Sequence, residues 1–208
     1  MDKNYWEDYY KKQNANQKPS FFAKHIYENV VCDRSTLIEL GCGNGRDAVY
    51  FANKGLKIKA IDQCESEIKF LKHKFSQLKN CHFHTGDFTN LNHDENFDIV
   101  YSRFTLHSIS AEQEARVCCW AYQVLNKGGV FCIEVRGQKN EIYGKGDIVV
   151  NESDAFVYDD HYRRFLNFND FCLRLKEIGF ALEYAEEKKG FAPFNDTDET
   201  FIRVIAKK

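Results

Sequence analysis

Short apolar runs alternate with amphipathic helical patterns along most of this chain, and that alternation restricts the fold more than any other feature. "TLIEL" (36–40) reads as a strand, and "GRDAVYFANKG" as a helix that Gly55 ends. "LKIKAID" (56–62) is a second strand, followed by a helix through "ESEIKFLKHKF". "CHFHTGD" (81–87) and "FDIVYS" (97–102) read as the third and fourth strands. A helix from about Glu112 to Leu125 carries Ala115, Cys118, Cys119, Tyr122 and Leu125 on one face, and "GGVFCIEV" (128–135) is a fifth strand. An irregular segment leads to a helix, "NDFCLRLKEIGF", closed by Gly179, and then to "ALEYAEE" and "TFIRVIAKK", two strands with no helix between them. Strand–helix alternation predicts a parallel sheet covered on both faces. The last two strands predict an antiparallel hairpin added to it. The expected fold is α/β, with seven strands, and its ligand belongs outside the carboxyl ends of the strands, where strand order switches.

Composition narrows the function. At 208 residues and 43% hydrophobic, the chain fits one domain with a full core. A net charge of −2 gives no general attraction to nucleic acid or to an acidic membrane, so any anion must be recognised locally. None of the eight cysteines forms a C-x-x-C, and several sit inside apolar patterns as small hydrophobes. That favours a reducing cytoplasm over a disulfide framework. "MDKNYWEDYYKK" is too polar for a signal peptide, and no apolar run reaches membrane-spanning length. The expected partner is a small-molecule substrate, with no nucleic acid and no membrane, for a monomer or homodimer.

The first strand runs into three glycines in "LIELGCGNGRDAVYFA" (37–52), with Glu39 just ahead of them. Gly41, Gly43 and Gly45 do not follow G-x-G-x-x-G, whose third glycine falls at Arg46, where a bulky side chain hinders close helix packing. No G-K-[ST] follows, which removes a phosphate loop. Glu39-x-Gly-x-Gly-x-Gly, with Asp62 ending the next strand, suits a nucleoside bearing a charged amino-acid tail and no pyrophosphate. Taken singly, Glu39 and Asp62 also admit a reading as caps of the helices that follow, the weaker of the two. With Asp87 in register as well, the ligand reading is the stronger.

Together with "AIDQ" (60–63), "GDF" (86–88), "FDIVYSRFTLH" (97–107) and "LNKGGVFCIEV" (125–135), this loop resembles the class I S-adenosylmethionine (SAM)-dependent methyltransferases over roughly Ser35 to Val135 and the terminal hairpin. The resemblance implies a Rossmann-like fold and SAM as cofactor. It implies that the backbone of Gly41 to Gly43 approaches the methionine portion and that Glu39 faces its amino group or sulfonium. By the same resemblance Asp62 accepts both ribose hydroxyls, Asp87 accepts from the adenine amino group, and the Phe88 N–H meets the ring. Ser102 and Arg103 line the methionine side, and Cys42, Asn44, Arg46 and Gln63 complete the expected cofactor set. A nicotinamide oxidoreductase is disfavoured by Arg46 and Asp87, whereas a SAM-binding protein without catalysis stays open.

For the methyl acceptor the sequence offers few groups. His107, just beyond the fourth strand, is the candidate general base, with a capping or supporting role as the alternative. His82 and His84 share a strand face without acidic or thiolate partners, so no metal site is expected. The segment 136–166 is the expected substrate-facing insertion, ending in "YDDHYRRF" (158–165). In a strand Arg163 and Arg164 point to opposite sides, and Arg164, flush with the strand end, is the candidate anion grip, beside Tyr162. The alternative pairs both arginines with Asp159, Asp160 or Glu152 at the surface. Residues 1–30 read as a helical aromatic lid before a methyltransferase domain at 31–208. Trp6, Tyr9 and Tyr10 recur at helical spacing and Phe21 and Phe22 follow a Ser20 cap; Tyr10 and Phe21 are the expected substrate contacts, and plain docking on the sheet is equally open. "GCGNGRD", "SRFTLH" and "HYRRF" look like bacterial enzymes related to the thiopurine and tellurite-resistance methyltransferases and to those encoded with capsular-polysaccharide genes. That likeness implies O-methylation of a small, anionic, phosphorylated or sugar-derived metabolite, with N- or S-methylation as the alternative.

Overall fold

A computed structural model of the chain describes residues 18–32 and 34–208; Trp6, Tyr9 and Tyr10 lie outside the described residues. In chain order come α1 (Phe21–Asn29), β1 (Thr36–Leu40), α2 (Arg46–Asn53), β2 (Lys57–Asp62), α3 (Glu65–Lys74), β3 (Cys81–Thr85) and β4 (Phe97–Arg103). A single 3-10 turn (Leu106–Ser108) then leads into α4 (Ala111–Val124) and β5 (Leu125–Val135). β6 (Asp147–Val149), β7 (Glu152–Tyr158) and β8 (His161–Arg164) precede α5 (Phe168–Ile178), β9 (Ala181–Lys188) and β10 (Phe201–Lys207).

Seven strands form one sheet in the order β3-β2-β1-β4-β5-β10-β9. β1 to β5 pair in parallel, and β10 joins both β5 and β9 antiparallel. This is the expected Rossmann-like sheet with its C-terminal hairpin. Strand side chains alternate between two cores, as the two-residue period of a strand requires. Ile38, Leu40, Val100, Phe131 and Ile133 face Val117, Ala121, Phe171 and Leu175 of α4 and α5. Leu37, Ile58, Ile99, Tyr101 and Cys132 face Phe22, Ile26, Phe51, Ile68 and Leu71 of α1 to α3. Each Val, Leu, Ile or Phe among them, fully buried, contributes about 1.5–3 kcal/mol. Covering both faces leaves only the strand ends open for a ligand.

Ser20 caps α1 by accepting from the Ala23 N–H at 2.9 Å, and Gly179 closes α5 in a left-handed conformation at φ 118°. All eight cysteines are free thiols. Among the described residues no helix is long and apolar enough to cross a membrane.

Where the sequence suggested an irregular segment, β6, β7 and β8 form a separate antiparallel sheet. Asp159 and Asp160, with φ of 51° and 55°, turn the chain between β7 and β8 in the twist that two-residue hairpins favour. This small sheet is fastened by Arg164. The Arg164 guanidinium bonds the carboxylate of Glu114 on α4, and its Nε donates to the Ile109 carbonyl at 3.3 Å. Glu114 is 1% exposed and takes a second ion pair from Arg174 at 3.0 Å. Arg164 is therefore occupied in a buried structural pair, and neither the anion grip nor the surface pairing describes it. Removing one member of a buried ion pair costs about 3–5 kcal/mol, because the other charge is left uncompensated. Glu114→Ala should therefore lower the unfolding free energy in urea by about that amount.

Candidate active site

β1 ends in Glu39 and Leu40, and the chain must then turn sharply to start α2 on one face of the sheet. Gly41, Gly43 and Gly45 make that turn with φ of 70°, 51° and 71°. A side chain at Gly41 would place its Cβ 2.4 Å from the Thr105 methyl. Glycine is required there for space as well as for conformation. The loop is fastened to β2: the Gly41 and Cys42 N–H groups donate to the Ile61 carbonyl at 2.8 and 2.9 Å. Asp62 then fixes its far side, accepting from the Gly43 N–H on Oδ2 and the Cys64 N–H on Oδ1, each at 2.9 Å. An ionised carboxylate offers about four lone-pair directions, so this loop-holding role is compatible with further hydroxyl donors.

Above the loop opens a cavity of about 630 Å³, outside the carboxyl ends of β1, β2, β4 and β5. Strand order divides it into two halves. On the β1–β2 side its walls include Glu39, Gly41 to Asn44, Arg46, Asp62, Gln63 and Phe88. On the β4–β5–β10 side they include Arg103 to Thr105, Ser108, Arg136 and Phe201. Lys18 to Phe21 close one rim and the β9–β10 connection, through Pro193, Phe194 and Glu199, closes another.

Burial makes this crevice chemically uneven. Glu39 is 4% exposed, and its Oε2 has no hydrogen-bond partner. Desolvation, followed by repulsion from Asp47, holds its carboxyl well above the usual range. Gln63 Nε2 and Ser108 Oγ are likewise buried without partners. Native structures leave few such atoms, and here three of them line one cavity. Cys42 stays a protonated thiol, because burial and then Asp62 push it up.

Under the loop, Asp47 in the first turn of α2 joins three elements. It accepts from the Ser20 N–H and Oγ at 2.7 Å each and from the Tyr101 hydroxyl at 2.9 Å. The start of α1 is thereby tied to the helix that follows the glycine loop and to β4, and Phe21 is held at the cavity rim.

On the other side Arg103 projects from the end of β4. Its Nε donates to Glu134 Oε1 on β5 at 3.0 Å, and its guanidinium lies 4.0 Å from the Phe104 ring centroid. Phe104 has φ 60°, a conformation that costs a bulky residue about 1–3 kcal/mol. Its ring packs 4.7 Å from that of Phe201, over which Arg136 stacks. Arg136 in turn bonds Glu199 and, at 2.7 Å, Asn140 Oδ1.

The residues singled out in the sequence therefore separate. Glu39, Gly41, Cys42, Gly43, Asn44, Arg46, Asp62, Gln63, Phe88 and Arg103 line the cavity, with Phe21 at its rim. Ser102 is fully buried beside it, with its Oγ 2.5 Å from Thr105 Oγ1. Asp87 is exposed outside the lining, its Oδ1 accepting from the Thr89 N–H at 2.9 Å. His107 is buried behind the wall, where its Nδ1 accepts from the Arg136 N–H at 3.4 Å. Tyr162 donates to Glu152 at 2.6 Å on the small sheet. Of 136–166, Arg136 lines the cavity, while the β9–β10 connection supplies the wall that this insertion was expected to supply. That connection carries no motif; Phe191, Pro193 and Phe194 so close together in a polar loop were the available signal.

A seven-stranded sheet in this order, with an acid-flanked glycine loop at its switch point, is a fold this chain shares with solved SAM-dependent methyltransferases, and the donor set fits SAM. Residues 37–129 match the family described as methyltransferase domain. The chain is 34% identical over 85 residues to a methyltransferase-like protein, 235L, of Invertebrate iridescent virus 6, covering 40% of this chain and 31% of that one. It is 28% identical over 85 residues to the cypemycin N-terminal methyltransferase of a Streptomyces species, covering 41% and 34% respectively. The matched stretch thus spans about a third of these curated relatives. Among solved structures, a SAM-dependent methyltransferase of Methanosarcina mazei superposes with a TM-score of 0.75 at 18% identity, over 88% of this chain and 96% of that one. The 1,6-didemethyltoxoflavin-N1-methyltransferase of Burkholderia thailandensis, solved with S-adenosylhomocysteine (SAH), gives 0.69 at 16% identity, over 99% and 83%.

Glu39 provides a test with a defined sign. A carboxyl whose native pKa lies above its unfolded value binds more protons when folded, so its contribution to stability falls as pH rises from 4.5 toward the raised value. Glu39→Gln should remove that loss, raising the Tm of the free protein at neutral pH. The same change should weaken SAH binding, measured by calorimetry, by tenfold or more.

Proposed function

We propose that the protein transfers a methyl group from SAM to a nitrogen atom of a small molecule. The observation carrying the cofactor half is the buried, unpartnered Glu39 Oε2 beside a glycine loop held open by Asp62. In this reading Glu39 receives the cofactor's ammonium, Asp62 and Gln63 the ribose edge, and Arg46 with the start of α2 the methionine carboxylate. Phe88 covers the adenine. When bound, SAM supplies an electrophilic methyl on a sulfonium: the acceptor's lone pair forms the new N–C bond while the C–S pair returns to sulfur, leaving SAH.

The chain's own residues then have to position the nucleophile and exclude water, and orientation alone is worth about 7–11 kcal/mol. Phe104, Phe201, Phe194 and Phe21 give the acceptor half an aromatic lining. A base is dispensable when the nucleophile is a neutral amine, whose surplus proton leaves to solvent after transfer. His107 fits that account. Burial, and then the Arg136 charge, hold its imidazole well below its usual pKa, and it stands behind the wall. Nitrogen also agrees with the relatives named for N-methylation, among them a glycopeptide N-methyltransferase whose structure superposes with a TM-score of 0.70. Oxygen methylation of a phosphorylated or sugar-derived acceptor loses its intended anchor, since Arg164 is committed to Glu114.

The test is SAH formation from SAM across small aromatic and aliphatic amines, sugar phosphates and phenols, with the methylated product identified by mass. Turnover with amines is the expected result, and turnover confined to sugar phosphates or phenols would refute the nitrogen assignment. With the best acceptor, His107→Ala should reduce kcat by less than tenfold, against the 10²–10⁴ expected for loss of a general base.

A further inference from the structure

The buried cluster at the top of β4, β5 and β10 contains one carboxylate between two guanidiniums. Arg203 on β10 uses both its Nε and its Nη2 on Glu134 Oε2, at 3.1 and 2.6 Å, and Nη2 also reaches the Phe191 carbonyl. Arg103 uses only its Nε on Glu134. Its two Nη groups make no hydrogen bond among the described residues, although the side chain lines the cavity. Glu134 is shared between two arginines and Asp47 is the next carboxylate acting on Arg103, so what the cluster presents to the cavity is the open Nη edge of Arg103. The guanidinium is also held rigidly, by Glu134 at one edge and by the Phe104 face beneath it. A planar fork fixed on two sides with its outer edge open is the geometry of carboxylate recognition.

Two carboxylates are available to such a fork, that of the acceptor and that of the methionine portion of SAM. Glu134 anchors Arg103 on the β5 side, while Arg46 is the arginine that lines the cavity from the start of α2. A second observation favours the acceptor. Of the three orphaned polar atoms that line the cavity, Glu39 Oε2 and Gln63 Nε2 lie on the β1–β2 side, whereas Ser108 Oγ lies past β4, on the side of Arg103.

We propose that the acceptor is a small aromatic amino-carboxylate, its carboxylate bound by the outer edge of Arg103 and its amine N–H by Ser108 Oγ. This rests on the N-methyltransferase reading. The aromatic part stacks against Phe104 and Phe201, and the Ser108 bond turns the nitrogen lone pair toward the sulfonium.

The probes are 2-aminobenzoate and aniline, titrated by calorimetry into the SAH-saturated protein, with thermal melts confirming that each variant folds. 2-Aminobenzoate should bind at least tenfold more tightly than aniline, as loss of a charge-assisted hydrogen bond requires. Arg103→Gln should abolish that preference and leave SAH affinity within about threefold. Ser108→Ala should weaken both probes alike, by about fivefold. Equal binding of the two probes, no binding of 2-aminobenzoate to the SAH complex, or a preference that survives Arg103→Gln overturns the proposal. So does a tenfold loss of SAH affinity in Arg103→Gln, which would assign the fork to the cofactor's carboxylate. If the unmodified protein fails to bind SAH, the methyltransferase reading itself falls, and this proposal with it.

Discussion

Glu134 is the point on which the β4–β5–β10 half of the cavity depends. It is 1% exposed, stands on β5, and faces Arg103 on β4 and Arg203 on β10 in direct register. β5 is where the parallel part of the sheet meets the antiparallel hairpin, so the carboxylate ties the two together at their ligand-facing end. Desolvation alone would make it costly; the two guanidiniums offset that cost, as a buried ion requires. The same bonds aim Arg103, fix Phe104 beside it through the Phe104 N–H to Glu134 carbonyl bond at 2.8 Å, and keep Arg203 between Phe22 and Phe191. Backbone strain at Phe104 and the aromatic wall both rest on this cluster.

Asp47 plays the corresponding part on the glycine-loop side, with a different set of partners. It is a buried carboxylate satisfied by neutral donors, two from Ser20 and one from Tyr101, and Arg46 stands 4.0 Å away. Because one of those donors is the residue that caps α1, placing the helix and shaping the site are one event. Phe22 stacks on Tyr101 at 5.1 Å and secures the helix to the sheet, while Phe21, on the other side of the same turn, remains 57% exposed over the cavity.

Much of this architecture was legible in the sequence, because most of its elements announce themselves locally. The parallel strands β1 to β4 are short, mostly apolar and followed by turn or acidic residues, and the helices between them keep an amphipathic period, so only the ends shifted by a residue or a few. The glycine loop was readable for the same reason: its constraint lies within a few residues. β6 to β8 were not readable. Their strands are half polar, and the Asp159-Asp160 turn achieves with two aspartates what the usual signal achieves with a glycine. The roles of arginines were the least readable feature. Nothing in "HYRRF" shows that Arg164 will meet Glu114, 50 residues earlier, nor in "YSRF" that Arg103 will be steered by Glu134. Charge pairing across the fold decided which arginine faces the cavity. The β9–β10 connection escaped notice because its aromatic residues acquire a shared wall only once the hairpin forms.

The cysteines divide along the same line of burial. Cys42 sits in the cofactor loop with its thiol pushed well up by desolvation and by Asp62, whereas Cys32 and Cys119 are exposed at the surface. Thiolate is the reactive form, so oxidants and alkylating agents should spend themselves on the surface thiols and leave the loop alone. The glycine loop thus carries in the cavity wall a sulfur atom that is itself a poor nucleophile, and on the proposed function it would not compete with the acceptor for the methyl group.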